Sequence, residues 1–285
     1  MSSRNVDDLV VADFGREWQS FDQSEVPPEE LARQFAGYFS VFPWDLVARD
    51  AVGFDAGCGS GRWARFVAPR FGRLHCIDAS AEAVEVARRS LADCGNVEFH
   101  VASVSDLPLA AGSMDFGYSL GVLHHVPDTE RALRECVSRL RVGAPFLVYL
   151  YYALDGRPAW FRALFGVVSA LRQRVSRWPH RRKLVATNAI AVVVYLPLAR
   201  AAKLGERVGR DVDSWPLSFY RDRSLYTMRT DALDRFGTRL EQRFTRTQIV
   251  AMLEAAGLVD VQVSRDPPYW CASAVKAGPQ VLSRL

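Results

Sequence analysis

Between Val52 and Tyr151 short apolar runs alternate with helical patterns, and this rhythm constrains the fold more than any other feature of the 285-residue chain. Val52-Gly53-Phe54-Asp55 reads as a strand entering a glycine loop, and Arg62 to Pro69 as a helix stopped near its proline. Leu74 to Ile77 is a second strand, followed by a helix from Ala81 to Ala92 with Ser80 as N-cap. Val97 to Val101 alternates as a third strand, and Phe116 to Leu120 is a fourth after the turn Ala111-Gly112-Ser113. In Thr129 to Leu140 the apolar positions Ala132, Leu133, Cys136, Val137 and Leu140 fall at helical spacing. Pro145 to Tyr151 is nearly all apolar, as suits a fifth strand buried on both faces. Strands alternating with helices imply a parallel sheet covered on both sides.

The rhythm stops at Tyr152 and resumes after Phe244 with a helix over Thr247 to Ala256, ended by Gly257 at its C′ position. Two strand-like runs follow, Leu258 to Val263 and Trp270 to Val275. The short Asp266-Pro267-Pro268 segment between them predicts antiparallel pairing at the sheet edge. The expected organisation is an N-terminal arm over 1–45, a core over 46–151 and 245–285, and a helical cap inserted after strand five over 152–244. Charge divides along the same lines. Arg157 to Arg210 hold twelve Arg and Lys against Glu206 alone, a formal +11; the whole chain is +4, so the remaining residues sum to −7.

With 49% hydrophobic and 24% charged residues the chain is neither disordered nor fibrous. Five scattered cysteines, no C-x-x-C pair and no histidines at metal-ligand spacing argue against a disulfide frame or a zinc site, and point to a reducing compartment. His75, inside a strand, reads as a buried or edge polar group. The first residues carry no apolar stretch resembling a secretory signal, so a cytoplasmic location is expected. The longest uncharged run, Leu184 to Ala199, has 16 residues and falls short of the roughly 20 needed to span a bilayer.

The most informative segment is Asp55-Ala56-Gly57-Cys58-Gly59-Ser60-Gly61, between the first strand and the first helix. Its three glycines let the backbone turn tightly and approach a ligand beside a helix N-terminus. Asp78 ends the second strand, where a carboxylate in such folds meets ribose hydroxyls. Dinucleotide binding favours Gly-x-Gly-x-x-Gly; here the third glycine comes one residue early and an acid precedes the loop. That combination suits a ligand without phosphates and with a cationic amino-acid end.

These residues resemble the class I S-adenosylmethionine-dependent methyltransferases of the type with a Leu-His-His segment after the fourth strand. The matches are Gly53 to Gly61, Cys76-Ile77-Asp78-Ala79-Ser80, Asp106-Leu107-Pro108-Leu109, Gly121 to Asp128, and Leu253 to Leu258, in family order. The resemblance implies a Rossmann-like α/β fold, a mostly parallel seven-stranded sheet with an antiparallel C-terminal edge strand. It implies S-adenosylmethionine as cofactor, with Ala56, Gly57, Cys58, Gly59 and Gly61 around the methionine part, Asp55 at the loop and ammonium, and Asp78 with Ala79 at the ribose. Ser103 and Val104 stand where the family often has Asp-Ala beside the adenine, with Asp106 as an alternative contact. Leu120 would place backbone against the methionine end.

Methyl transfer from a sulfonium is a one-step displacement, so alignment and exclusion of water dominate, and an O–H or N–H acceptor must also lose a proton. Imidazole suits that task near neutrality. His124 and His125 lie just past the fourth strand, at the edge where ligands bind in open α/β sheets. They are candidate catalytic residues, and the alternative for His125 is an anchor to a neighbouring backbone group. Cys58 reads as a packing residue. The cap is the candidate for acceptor recognition, with Tyr220 and Arg221 in Ser218 to Arg223. Trp18, in Asp13 to Phe21, belongs to an arm that could fold across the cofactor. Trp160 to Phe165 form an amphipathic helix. The basic and apolar residues of 157–210 suit either a solvated cap or peripheral contact with anionic lipid at the inner membrane surface. Nucleic acid is disfavoured, because the charges interleave with long apolar runs. The expected activity is transfer of a methyl group to O or N of a small-molecule or lipid- or glycan-linked acceptor. The alternative is a non-catalytic cofactor-binding protein that docks to a membrane or partner through its basic cap.

Overall fold

A computed structural model describes residues 5–153, 159–266, 268 and 270–278. Arg157, Pro267 and the side chains of 160–164, which the sequence reading used, lie outside the described residues. The chain divides into two compact units, one of residues 1–22, 34–156 and 240–285, the other of 23–33 and 157–239.

The first unit is built on a seven-stranded sheet in the order β3-β2-β1-β4-β5-β7-β6. Its strands are β1 (Val52–Ala56), β2 (Arg73–Asp78), β3 (Val97–Val101), β4 (Phe116–Leu120), β5 (Pro145–Tyr149), β6 (Leu258–Val263) and β7 (Cys271–Lys276). The first five pair in parallel, while β7 runs antiparallel to both β5 and β6. The antiparallel strand expected at the edge therefore sits one place in, and β6 is outermost. Every residue of β4 is buried, as are Pro145 to Val148 of β5, which fits central strands covered on both faces. β3, at the opposite edge, has no buried residue.

Helices α1 (Asp8–Ser20), α3 (Ala64–Val67), α4 (Ala81–Ser90), α5 (Thr129–Arg139) and α10 (Arg246–Ala255) belong to this unit, and α2 (Pro28–Tyr38) contributes its second half. Their starts follow the sequence chemistry. Ser80 Oγ accepts from the Ala83 amide at 3.2 Å, Asp128 Oδ1 from Arg131 at 2.9 Å, and Thr245 forms a capping box with Gln248. The helix expected over Arg62 to Pro69 is only one turn of α-helix, continued by a 3-10 turn over Ala68–Arg70 that admits Pro69.

The second unit is helical: α6 (Ala159–Val175), α7 (His180–Ile190), α8 (Leu196–Arg207) and α9 (Leu225–Gly237), with residues 23–33. Val175, Ala191, Tyr195, Ala199, Tyr220, Met228, Ala232 and Phe236 form its core. Glu30 ties 23–33 to the α9 start, accepting from the Ser224 amide at 2.9 Å and Thr227 Oγ1 at 2.7 Å. A π-helical turn, Ala191–Tyr195, joins α7 to α8 just before Pro197, whose missing N–H breaks the ordinary ladder. The result is one 28-residue helix, His180–Arg207, long and apolar enough to cross a bilayer by length and composition. The 16-residue uncharged run had understated it, because a helix does not end where charges resume.

Candidate active site

The order of the sheet reverses between β1 and β4, and ligands of open α/β sheets bind in the crevice at the carboxyl ends of such strands. There β1 delivers Asp55 and Ala56 into the glycine loop. The amides of Gly57 and Cys58 both donate to the Ile77 carbonyl, at 2.7 and 2.9 Å, which turns the loop over the end of β2. Asp78 then holds it: Oδ2 accepts from the Gly59 amide at 2.9 Å and Oδ1 from the Ser80 amide at 2.9 Å. Gly57 and Gly59 have φ of 85° and 54°, and a Cβ there would lie 2.3 Å from Val122 and 2.7 Å from the Trp18 indole. Only glycine meets both conditions.

The electrostatics of this cradle are one-sided. Asp55 is 1% exposed, and its Oδ2 has no hydrogen-bond partner. Burial pushes its pKa up to about 8, with the Asp78 carboxylate adding to the rise and the Tyr118 hydroxyl and Arg62 opposing it. Burial also raises Asp78, against the backbone amides that it accepts. Ser60 Oγ is a second buried polar atom without a partner. Buried polar atoms are normally satisfied, so orphaned oxygens beside a glycine backbone mark a place where a polar, cationic ligand belongs. Cys58 does not supply a nucleophile, since the neighbouring Cys76 thiol and burial hold its own thiol well above the usual range.

After β4, Gly121 turns the chain into a short 3-10 segment, Leu123–His125, ahead of α5. His124 is fully buried and stacks on Tyr151 at 4.0 Å between centroids. Burial, then His125 and Arg243, push its pKa well below the ordinary range, so this imidazole stays neutral. His125 Nδ1 lies 2.7 Å from the Leu240 carbonyl. A carbonyl only accepts, so Nδ1 carries the proton and, in the neutral ring, Nε2 carries the lone pair. The returning chain clamps this loop: the Gln242 amide donates to the His124 carbonyl at 2.9 Å and its side chain to the Val126 carbonyl at 2.6 Å. Tyr38, Tyr149 and Tyr151 continue the aromatic surface, Tyr38 meeting Tyr149 edge-on at 4.9 Å.

Asp55, Ala56, Gly57, Cys58, Gly59, Gly61, Asp78 and Ala79 thus fall in one cradle. Leu120 ends β4 next to it and is buried. Ser103 follows β3, and its Oγ accepts from the Ser105 amide at 3.1 Å, whereas Val104 is part of the core. Trp18 comes from α1, which packs on α4; its indole covers Gly59, with the Arg62 guanidinium 5.6 Å from the ring. Tyr220 and Arg221 belong to the second unit. There Tyr220 is a core residue, 1% exposed, and Arg221 pairs with Glu206 at 3.0 Å.

Three residues that sequence reasoning passed over shape the site. Tyr118 pairs with Asp55 in the β1–β4 register and sets its hydroxyl beside that carboxylate. Gln242 fixes the histidine loop. Asn5, 3% exposed, donates to Ser105 Oγ and the Asp128 carbonyl and accepts from the Asp128 amide, at 2.8, 2.8 and 2.7 Å, so it staples the loops after β3 and β4 together. Only strand alternation pointed to Tyr118; the other two are polar residues in loops, with no periodic signal.

Fold and cradle together are those of a Rossmann-like domain of the methyltransferase class. A family described as a methyltransferase domain matches residues 54–148. A ubiquinone biosynthesis O-methyltransferase of Xanthomonas oryzae pv. oryzae is 30% identical over 174 residues, which cover 60% of this chain and 70% of that protein. One from Xanthomonas axonopodis pv. citri is 37% identical over 152 residues, 53% of this chain and 61% of that one. A solved structure of a candidate methyltransferase from Bacillus halodurans shares the fold, with a TM-score of 0.50 at 14% identity over 83% of this chain and 72% of the other. The chain belongs to the class I S-adenosylmethionine-dependent methyltransferase family. It spans between 41% and 61% of the length of several of the curated relatives it matches.

Proposed function

We propose that the chain binds S-adenosylmethionine in the glycine cradle and methylates an oxygen or nitrogen of a small-molecule or lipid-linked acceptor. The observation that carries this reading is the orphaned, buried Asp55 Oδ2 beside three left-handed glycines. The cofactor carries a sulfonium and an ammonium and no phosphate, which matches a cradle whose buried side chains are the carboxylates Asp55 and Asp78. Asp55 would take the ammonium, Asp78 the ribose hydroxyls, and Ser103 would lie by the adenine. When bound, the cofactor supplies an electrophilic methyl on sulfur.

The chain's own residues then align the acceptor and take its proton. His125 is the base in this reading, because the Leu240 carbonyl fixes its tautomer and ring. His124 is too disfavoured as a cation to share that role and packs beneath it. The aromatic surface of Tyr38, Tyr149 and Tyr151 excludes water and suits a flat or apolar acceptor. The relatives named for ubiquinone biosynthesis favour oxygen as the acceptor atom and an apolar, ring-bearing acceptor. In this reading the protein is cytoplasmic, and the second unit favours peripheral contact with a membrane. One face of its long helix is buried through Ala191, Tyr195, Ala199 and Ala202, while Val185, Val193 and Leu204 are 71, 71 and 62% exposed. A helix packed on one side and apolar on the other suits lying in the interface better than crossing it.

The test is incubation with methyl-labelled cofactor and lipid or polar extracts. Label is expected in an organic-soluble product, with Asp78→Ala weakening cofactor binding at least tenfold by calorimetry. No labelled product from any extract, or unchanged binding by Asp78→Ala, would overturn the assignment.

A further inference from the structure

Outside the cradle, on the opposite flank of β2, a second set of ligand-type side chains converges. His75 pairs with Glu98 in the parallel β2–β3 register, and His100 stands two residues beyond Glu98, so all three project from one face of the sheet. His75 Nδ1 lies 3.1 Å from His100 Nε2 and 3.3 Å from Glu98 Oε2. One donor atom from each residue falls within 4.8 Å of the other two, the one such histidine, cysteine and carboxylate cluster among the described residues.

We propose that His75, Glu98 and His100 form a site for a divalent transition metal of the zinc class, a clip between β2 and β3 that keeps a position open to water. Ligands bonded to zinc at 2.0–2.1 Å in a tetrahedron stand about 3.3 Å apart, and both measured separations are close to that edge. As the site stands, two imidazole nitrogens and a carboxylate oxygen point at one another. When both rings are neutral a single N–H serves all three, whereas a cation satisfies every lone pair. Arg73 holds Glu98 Oε1 at 3.0 Å and so orients Oε2 inward, the supporting contact that metal-bound carboxylates usually have. Two imidazoles and one carboxylate suit zinc, cobalt, nickel or copper, and do not suit magnesium or calcium. The proposal does not depend on the methyltransferase reading. The clip would tie down the exposed edge strand next to the strand that ends in Asp78.

The test uses the full chain with any polyhistidine tag removed. Zinc is titrated by calorimetry and by thermal melting, and cobalt by visible absorption, which reports tetrahedral ligation. One equivalent is expected to bind with Kd on the order of 1 µM, three ligands with a nearby guanidinium falling short of a closed four-ligand site. Saturating zinc should raise the melting temperature, and magnesium should not. Glu98→Gln and His100→Ala should each weaken binding at least tenfold, while Cys94→Ser leaves it unchanged. Absence of binding, equal binding by Glu98→Gln and His100→Ala, or loss of binding in Cys94→Ser would overturn the proposal; Glu98 is exposed, so Glu98→Gln keeps the test valid if His100→Ala misfolds.

Discussion

Asp55 is held by opposing demands. In the folded chain its carboxyl is raised to about 8, against about 3.8 when exposed, so between those values the folded state keeps a proton that the unfolded state gives up. Stability from this group is therefore lost as pH rises from about 4 to 8. Asp55→Asn removes that burden. It should melt higher than the wild type at pH 8, by roughly 2–4 °C per kcal/mol relieved, with a smaller gain at pH 5, while binding the cofactor at least tenfold more weakly. Melting curves at the two pH values and calorimetric titration check this. A variant both less stable at pH 8 and unimpaired in binding would contradict the account. At this scale Asp55, the glycines and Asp78 were legible in the sequence, because tight turns and ligand-facing acids need particular residue types. The orphaned oxygen, the fixed tautomer of His125 and the staple at Asn5 were not, since each depends on what lies opposite in space.

Among the elements, β1 and β4 interlock through alternating glycine and phenylalanine. Gly53 pairs with Phe116 and Phe54 with Gly117, and each ring lies over the facing glycine. A Cβ would come 2.3 Å from the Phe54 ring at Gly117 and 2.2 Å from the Phe116 ring at Gly53. Gly117→Ala should cost about 1–3 kcal/mol by overpacking, and Phe54→Leu should recover part of that loss in the double variant. Denaturant unfolding of the single and double variants measures the coupling; additive effects would show that the ring and the glycine do not interlock. The five parallel strands were readable because each is a short apolar run, or in β3 an alternating one, between turn residues. The place of β7 between β5 and β6 was not, since a strand's neighbours are chosen by pairing and not by its own pattern. Likewise the meeting of His75, Glu98 and His100 was not readable, because it comes from two strands in register and not from spacing along the chain.

For the molecule as a whole, charge and apolar exposure both concentrate in the second unit. Arg177, Arg181 and Arg182 are exposed beside Trp178 and Val185, whereas Lys183, counted with them in the sequence, is 2% exposed and donates to the Gly237 carbonyl at 2.9 Å. Such a surface should bind anionic vesicles and leave neutral ones, with binding reduced by salt. Neutralising Arg177, Arg181 and Arg182 to Gln should weaken association by about 1 kcal/mol per charge. Vesicle flotation measures this, and equal partition to neutral and anionic vesicles would count against an electrostatic interface.

Local chemistry was enough to determine the alternation of strands and helices, the glycine loop with its two acids, and the segregation of basic residues into one insertion. These depend on periodicity, turn geometry and charge, all of which are written along the chain. Tertiary structure alone decided which buried oxygen lacks a partner, which lysine is structural, which histidine stays neutral, and that three side chains of metal-ligand type from two strands converge. Those properties arise from desolvation and distance, and both exist only once the chain has closed around itself.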